Sequence, residues 1–103
     1  MTLQQMKYAL TIAEQGSMNK AAEQLFISQP SLTSAVRELE KEIGIQVFVR
    51  SSRGVSVTAE GADFLMYVRQ VYQQYELLHQ KRRRKAEIRS FHAALFLCGK
   101  GVR

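Results

Sequence analysis

The segment from Ser28 to Gly44 constrains the fold more than any other part of the sequence, because it predicts one helix with two unlike sides. Ser28 is a preferred N-cap residue, and Pro30 falls in the first turn, where its missing N–H has no helical partner to lose. Gly44 is a typical residue at which a helix ends. Apolar residues recur at helical spacing along one side, namely Leu32, Ala35, Val36, Leu39 and Ile43. The opposite side carries short polar or basic residues, namely Pro30, Thr33, Ser34, Arg37 and Lys41.

Two further helices are predicted before this segment. Residues 2–15 place apolar side chains at helical spacing, which indicates a first helix. Ser17 or Asn19 is the candidate N-cap of a short second helix. The inner face of the second helix is small, with the pair Ala21-Ala22, so that it and the third helix can cross closely. Phe26-Ile27 leaves only a tight connection between the two.

A small β-hairpin and a long helix are predicted after the third helix. Residues 47–50 and 55–57 are short β-type runs, and the turn Ser51-Ser52-Arg53-Gly54 between them ends on a glycine that accepts positive φ. Thr58 then caps a final helix that runs to about residue 80. This order of elements is that of a winged helix-turn-helix, a mainly α fold of three helices and a hairpin wing, followed here by a long helix.

The final helix carries an apolar seam with spacings of 4, 3, 4 and 3, which is typical of a coiled coil. The seam residues are Phe64, Val68, Val71, Tyr75 and Leu78. Because residues 1–57 offer little surface to cover so long a helix, pairing with a second copy of the chain is favoured, as a homodimer or a higher oligomer. Packing of the seam on its own domain remains the alternative.

Charge divides the chain in the same way as the element pattern. The formal net charge is +1 for residues 1–57, −2 for 58–80 and +7 for 81–103. We therefore interpret 1–57 as the winged helix-turn-helix domain, 58–80 as a linker or dimerisation helix, and 81–103 as a basic tail. Since the overall charge of +6 lies almost wholly in the tail, it is a poor argument for nucleic-acid binding by the folded part. Nucleic-acid binding by the folded part is instead inferred from the helix-turn-helix motif.

In a helix-turn-helix the first residues of the third helix meet base edges in the major groove of DNA. Gln29 can pair with adenine, and the methyl group of Thr33 suits that of thymine. Arg37 and Lys41 lie further along the helix and are assigned to phosphates. Arg53, at the tip of the hairpin, is expected in the minor groove.

The sequence resembles the N-terminal domain of LysR-type transcriptional regulators over roughly residues 1–80. The resemblance rests on many spaced identities: Ser17, Ala21-Ala22, Leu25, Ser28-Gln29-Pro30-Ser31-Leu32, Val36, Leu39-Glu40, Gly44, Val47-Phe48, Arg50, Arg53-Gly54, Thr58 and Gly61. It implies a recognition helix at about 28–42, a wing that reaches the minor groove, and a linker helix that pairs two chains.

Carried over by position, the resemblance implies DNA-facing residues on the third helix and in the wing region, namely Gln29, Pro30, Ser31, Thr33, Ser34, Arg50 and Arg53. Ser34 departs from the family pattern, which often has arginine there, so one strong contact is expected to be missing. For Ser31 and Ser34, simple solvation is the alternative to a DNA contact.

The end of the chain also departs from the family. LysR-type regulators continue into an effector-binding domain, whereas this sequence ends about twenty residues past the linker helix in a segment unlike that domain's first strand. We therefore expect a truncated or short form that senses no small-molecule effector. We also expect a cytoplasmic location, since no apolar run is long enough for a membrane span and no signal pattern begins the chain.

Neither catalysis nor a cofactor is expected. His79, His92 and Cys98 form no recognisable set of metal ligands, and no paired carboxylates, nucleophile–base pair or phosphate loop occurs. The competing functional hypothesis is a helical protein-interaction module, with the 58–80 helix as its surface and no role for DNA. A wing carrying Arg53 argues against that hypothesis, because such a module does not need one.

Overall fold

The computed structural model describes residues 1–81 and confirms the predicted order of elements. Four helices and one antiparallel hairpin follow one another within that part of the chain: α1 Leu3–Gln15, α2 Met18–Leu25, α3 Gln29–Ile43, β1 Phe48–Ser51, β2 Gly54–Val57 and α4 Ala59–Lys81. The chain forms two compact units, the first of which spans Met1–Tyr72; the second begins at Gln73, within α4. The predicted basic tail lies outside the described residues, except for Lys81 at the end of α4.

Each helix begins at a hydroxyl residue whose oxygen accepts a hydrogen bond from a backbone N–H three residues later. These capping residues are Thr2, Ser17, Ser28 and Thr58. Of the two candidate caps of α2, Ser17 is therefore the one used. Gly16 and Gly44 follow α1 and α3 in the left-handed conformation, as predicted for residues that end a helix.

The core of the first unit lies among α1, α2, α3 and the beginning of α4. It contains Ala21 and Ala22 of α2 and, of the predicted apolar stripe of α3, Leu32, Val36 and Leu39, whereas Ala35 and Ile43 are only partly buried. The buried residues of the core are Ala9, Leu10, Ile12, Met18, Ala21, Ala22, Leu32, Val36, Leu39, Val47, Phe48, Leu65 and Val68. Burial of Leu32, Val36 and Leu39 fixes the rotation of α3, so that the opposite side of the helix faces outward.

Two parts of the prediction need correction. The core continues past Val57 into α4, and Val68, predicted to face a second chain, is only 3% exposed within the core of its own unit. Phe64 is half-buried and packs against the same core. A coiled-coil seam and a domain-facing stripe have nearly the same spacing, which is why the sequence left both readings open.

The strand bounds differ by one residue from the prediction: β1 begins and ends one residue later, and β2 begins one residue earlier. The register of the hairpin pairs Phe48 with Val57 and Ser51 with Gly54, whereas Val47 lies before β1 and is fully buried. Gly54 has φ +124°, and a Cβ built on it would lie 2.5 Å from the carbonyl oxygen of Gly16. Because the N–H of Val55 donates to that same oxygen at 2.9 Å, the wing is fastened to the end of α1.

Candidate nucleic-acid interface

The outward edge at the beginning of α3 is accessible at every position predicted to meet a base. Gln29, Pro30, Ser31 and Ser34 are exposed, and Thr33 is half-buried. Ser28 Oγ accepts from the N–H of Ser31 and lies 2.8 Å from Ser31 Oγ. This edge also coincides with the N-terminus of a 15-residue helix, where unpaired N–H groups produce a positive potential.

A second group of polar side chains lies further along the same face. Arg37 and Lys41 are exposed, and Lys41 is in the last turn of α3. Arg37 also lines an open cleft between α3 and the wing, together with Met18, Thr33, Val36, Glu40, Gln46, Phe48, Arg50 and Val55. An anionic ligand on this side of α3 would therefore meet cations from both the helix and the hairpin.

The wing brings one of its two predicted arginines to α3. Nη2 of Arg50 donates to Oγ1 of Thr33 at 2.6 Å, across 17 residues of sequence. Arg53 occupies the two-residue tip between the strands and is exposed; its backbone N–H donates to Ser51 Oγ. Arg50 thus belongs with the α3 edge, whereas Arg53 is carried on the tip of the hairpin.

Glu40 anchors the chain that leads into the wing, a role that the sequence analysis did not identify. Its Oε2 accepts from the N–H of Val47 at 2.7 Å and from the N–H of Phe48 at 3.2 Å. Thr58 reinforces the same point, since its N–H donates to the carbonyl of Val47 and its hydroxyl to the carbonyl of Gln46. These bonds fix the position of β1 relative to α3.

Close packing of α4 against Val47, the residue that precedes β1, requires Gly61. A Cβ built at this position would lie 2.6 Å from the carbonyl oxygen of Val47 and 2.8 Å from its Cα. Such distances are too short for any side chain, so glycine allows α4 to begin directly beneath the wing. The family resemblance includes Gly61, but only the structure gives the physical reason for it.

Phe26 is an unexpected feature of the turn between α2 and α3. Its φ of 57° places it in the left-handed region, and no other non-glycine residue of the described chain has a positive φ. Its side chain is 94% exposed. The backbone here permits the tight turn that was predicted, at a conformational cost that a glycine or asparagine would reduce.

Apolar side chains on α4 are exposed in both units. In the first unit these are Met66, Tyr67 and Val71; in the second unit they are Tyr75, Leu77 and Leu78. Of the predicted seam, Val71, Tyr75 and Leu78 are thus accessible, whereas Phe64 and Val68 contact their own domain. Tyr75 also stacks on His79, with ring centroids 6.2 Å apart.

The described residues contain no cluster of three or more potential metal ligands. The helices of this part of the chain also include none that is long and apolar enough to cross a lipid bilayer.

The sequence is similar to bacterial helix-turn-helix regulators. The model of the bacterial regulatory helix-turn-helix protein, lysR family, matches residues 3–62. The HTH-type transcriptional regulator TfdT of Cupriavidus pinatubonensis is 44% identical over 71 residues, which are 69% of this chain and 31% of TfdT. ClcR of Pseudomonas putida is 35% identical over 98 residues, 93% of this chain and 33% of ClcR. The chain spans about a third of the length of these relatives, and the ClcR alignment includes part of segment 81–103.

Two solved DNA-binding domains share the winged helix-turn-helix fold of this chain. The DNA-binding domain of BenM in complex with catB site 1 DNA superposes with a TM-score of 0.78 at 35% identity, covering 84% of this chain and 97% of that one. The CbnR DNA-binding domain in complex with DNA gives a TM-score of 0.75 at 35% identity, covering 84% and 99%. The match includes nearly all of each domain, so α4 and the wing belong to the shared fold.

Proposed function

The chain belongs to the lysR family of bacterial regulatory helix-turn-helix proteins, and we propose on this basis that it binds double-stranded DNA with sequence preference and regulates transcription. The observation that carries the proposal is the exposed edge Gln29–Ser34 at the beginning of α3, held outward by the burial of Leu32, Val36 and Leu39. A helix fits the major groove of B-DNA with its N-terminal residues at the base edges.

The α3 edge and the wing take different parts in this binding. Gln29, Pro30, Ser31, Thr33 and Ser34 meet bases or the adjacent backbone, and Arg37 meets a phosphate one turn further on. Arg53 enters the minor groove from the tip of the wing, where narrow A·T-rich tracts attract a guanidinium. Because serine replaces the arginine common at position 34, the α3 edge depends on fewer charged contacts than is usual in the family.

The chain acts as a homodimer through α4. The exposed seam residues Val71, Tyr75 and Leu78 are apolar positions that a second copy covers, while Phe64 and Val68 support α4 from its own domain. Two copies related by a two-fold axis present two recognition helices about 34 Å apart, on successive major-groove faces. The target is then a pseudo-palindrome with A·T-rich character.

Selection from random DNA duplexes tests the proposal. We expect an enriched motif with two related half-sites about one helical turn apart. Gln29→Ala should relax the base preference at one position of each half-site by about 1–3 kcal/mol. The matched control is Gln4→Ala, at an exposed glutamine of α1, which should leave the motif unchanged. Failure to enrich any motif, together with a stable complex with an unrelated protein, would favour the protein-interaction module instead.

Sedimentation of the free protein tests the dimer. Val71→Asp and Leu78→Asp introduce a charge at exposed seam positions and should shift the protein from dimer to monomer. Gln4→Asp adds the same charge on α1 and should not. A monomeric wild-type protein at concentrations that saturate the selected duplex would contradict this assembly.

A further inference from the structure

The two threonines in the helix interiors of residues 1–81 use their hydroxyl groups differently. Oγ1 of Thr11 donates to the carbonyl oxygen of Lys7, four residues earlier, at 2.8 Å. This bond is usual for threonine in a helix. Thr33 lies at a comparable position in α3, but its Oγ1 accepts from Nη2 of Arg50 at 2.6 Å, and it makes no hydrogen bond to the corresponding carbonyl of Gln29.

This difference determines which hydrogen bonds the hydroxyl of Thr33 can still make. A threonine hydroxyl carries one proton and two lone pairs. Because the guanidinium of Arg50 donates to the oxygen, the proton cannot point toward Arg50 and is left for an acceptor elsewhere. The positive charge also polarises the O–H group and makes it a better donor. Thr33 therefore combines a polarised O–H donor with a methyl group.

We propose that Thr33 is a specificity-determining residue that donates to the keto oxygen of a base, with thymine preferred, and that Arg50 is the positioning residue that holds it in this state. The proposal rests on the proposed DNA-binding function. In the major groove thymine O4 and guanine O6 accept hydrogen bonds, whereas the amino groups of adenine and cytosine donate them; N7 of either purine also accepts, so the discrimination arises where the hydroxyl faces the keto or amino position. A donor that faces a donor leaves both groups unpaired. The methyl group of Thr33 then favours thymine through its C5-methyl.

The position of Arg50 depends on how the wing is anchored. Arg50 pairs with Val55 in the hairpin, and Val55 is bonded to the carbonyl of Gly16 at the end of α1. At the other end of β1, Glu40 holds the N–H groups of Val47 and Phe48. Arg50 is therefore carried on a strand that is fixed at both ends, which brings its guanidinium within hydrogen-bond distance of Thr33.

The test measures affinity for pairs of duplexes that differ at one base pair of the selected motif. Wild-type protein should prefer a keto base at one position of each half-site by about three- to tenfold, the discrimination expected of one hydrogen bond. Thr33→Val keeps the shape but removes the hydroxyl, and should abolish this ratio; Thr33→Ser should retain the keto preference. Arg50→Met should abolish the ratio as well, because the oxygen is no longer held toward the wing and the side chain can rotate so that its hydroxyl donates to the carbonyl of Gln29, as Thr11 does to Lys7.

A charge-matched control separates this role from simple attraction to phosphate. Arg37→Met removes the same charge from the same cleft but no bond to Thr33, so it should weaken binding to both duplexes equally and keep their ratio. The double variant Thr33→Val/Arg50→Met should lose no more discrimination than either single variant. A ratio that survives in Arg50→Met, or losses that multiply in the double variant, would overturn the proposal. If wild-type protein enriches no motif at all, the proposed function itself has failed.

Discussion

Replacement of Glu40 by alanine should loosen the wing and destabilise the first unit. The carboxylate accepts two hydrogen bonds from the backbone, one from Val47 at 2.7 Å and one from Phe48 at 3.2 Å. Both residues are buried, and Val47 is completely so. Without Glu40, the two N–H groups have no partner that the chain can supply at that place.

The magnitude follows from the two orphaned donors. An unsatisfied buried donor costs about 1–3 kcal/mol. Because these bonds are only partly buried and water can reach them in part, we take the lower half of that range, which gives a loss of about 2–4 kcal/mol in the free energy of unfolding for Glu40→Ala. Glu40→Gln keeps a neutral acceptor oxygen and should lose about 1 kcal/mol, the difference between a charged and a neutral acceptor.

Urea unfolding followed by far-ultraviolet circular dichroism measures these losses. The transition midpoint should fall with little change in its slope, because the core stays buried in the variant and nearly the same surface is exposed on unfolding. Glu38→Ala is the matched control, since Glu38 is exposed on the same helix, and should change the stability by less than about 0.5 kcal/mol. If Glu40→Ala unfolds within 0.5 kcal/mol of wild type, Glu40 is not the anchor of the wing.

Three further predictions concern other contacts of the first unit. Gly61→Ala should destabilise by about 2–3 kcal/mol or prevent folding, because its Cβ would meet backbone atoms of Val47; a thermal melt measures the loss, and an unchanged melting temperature would contradict it. Phe26→Gly should raise the free energy of unfolding by about 0.5–1 kcal/mol in urea titration, since it relieves a left-handed residue whose side chain buries nothing; a decrease would mean that the ring packs on the protein. Arg53→Ala should weaken DNA binding and lower the salt dependence of the affinity by about one counterion; an unchanged slope of affinity against salt would place Arg53 away from phosphates.

Local signals were sufficient to predict α3 and its neighbours. Ser28, Pro30 and Gly44 act within one turn of their own positions, so their effect on the backbone can be read without knowledge of the rest of the chain. The apolar stripe of α3 then decides which side is buried, and this in turn leaves Gln29–Ser34 accessible. The accessibility of this edge was therefore predictable from the sequence alone.

Contacts between distant residues were not predictable in the same way. Glu40 matches the helical pattern of α3 as an ordinary polar residue, and only the path of the chain beyond Gly44 brings Val47 to it. The bond from Arg50 to Thr33 depends on the register of the hairpin, which the strand pattern alone did not predict. Val68 was assigned to a partner because a heptad seam and a domain-facing stripe share their spacing over so short a helix.

An amide chemical-shift map of the protein titrated with its selected duplex tests most directly whether the beginning of α3 meets DNA. We expect the largest changes at Gln29 and at Ser31–Ser34, since Pro30 has no amide N–H, with further changes at Arg50 and Arg53 of the wing. Exposed positions of α1 such as Gln4 should remain unperturbed. Saturable binding that leaves the signals of Gln29 and Ser31–Ser34 unchanged would show that this edge does not meet DNA.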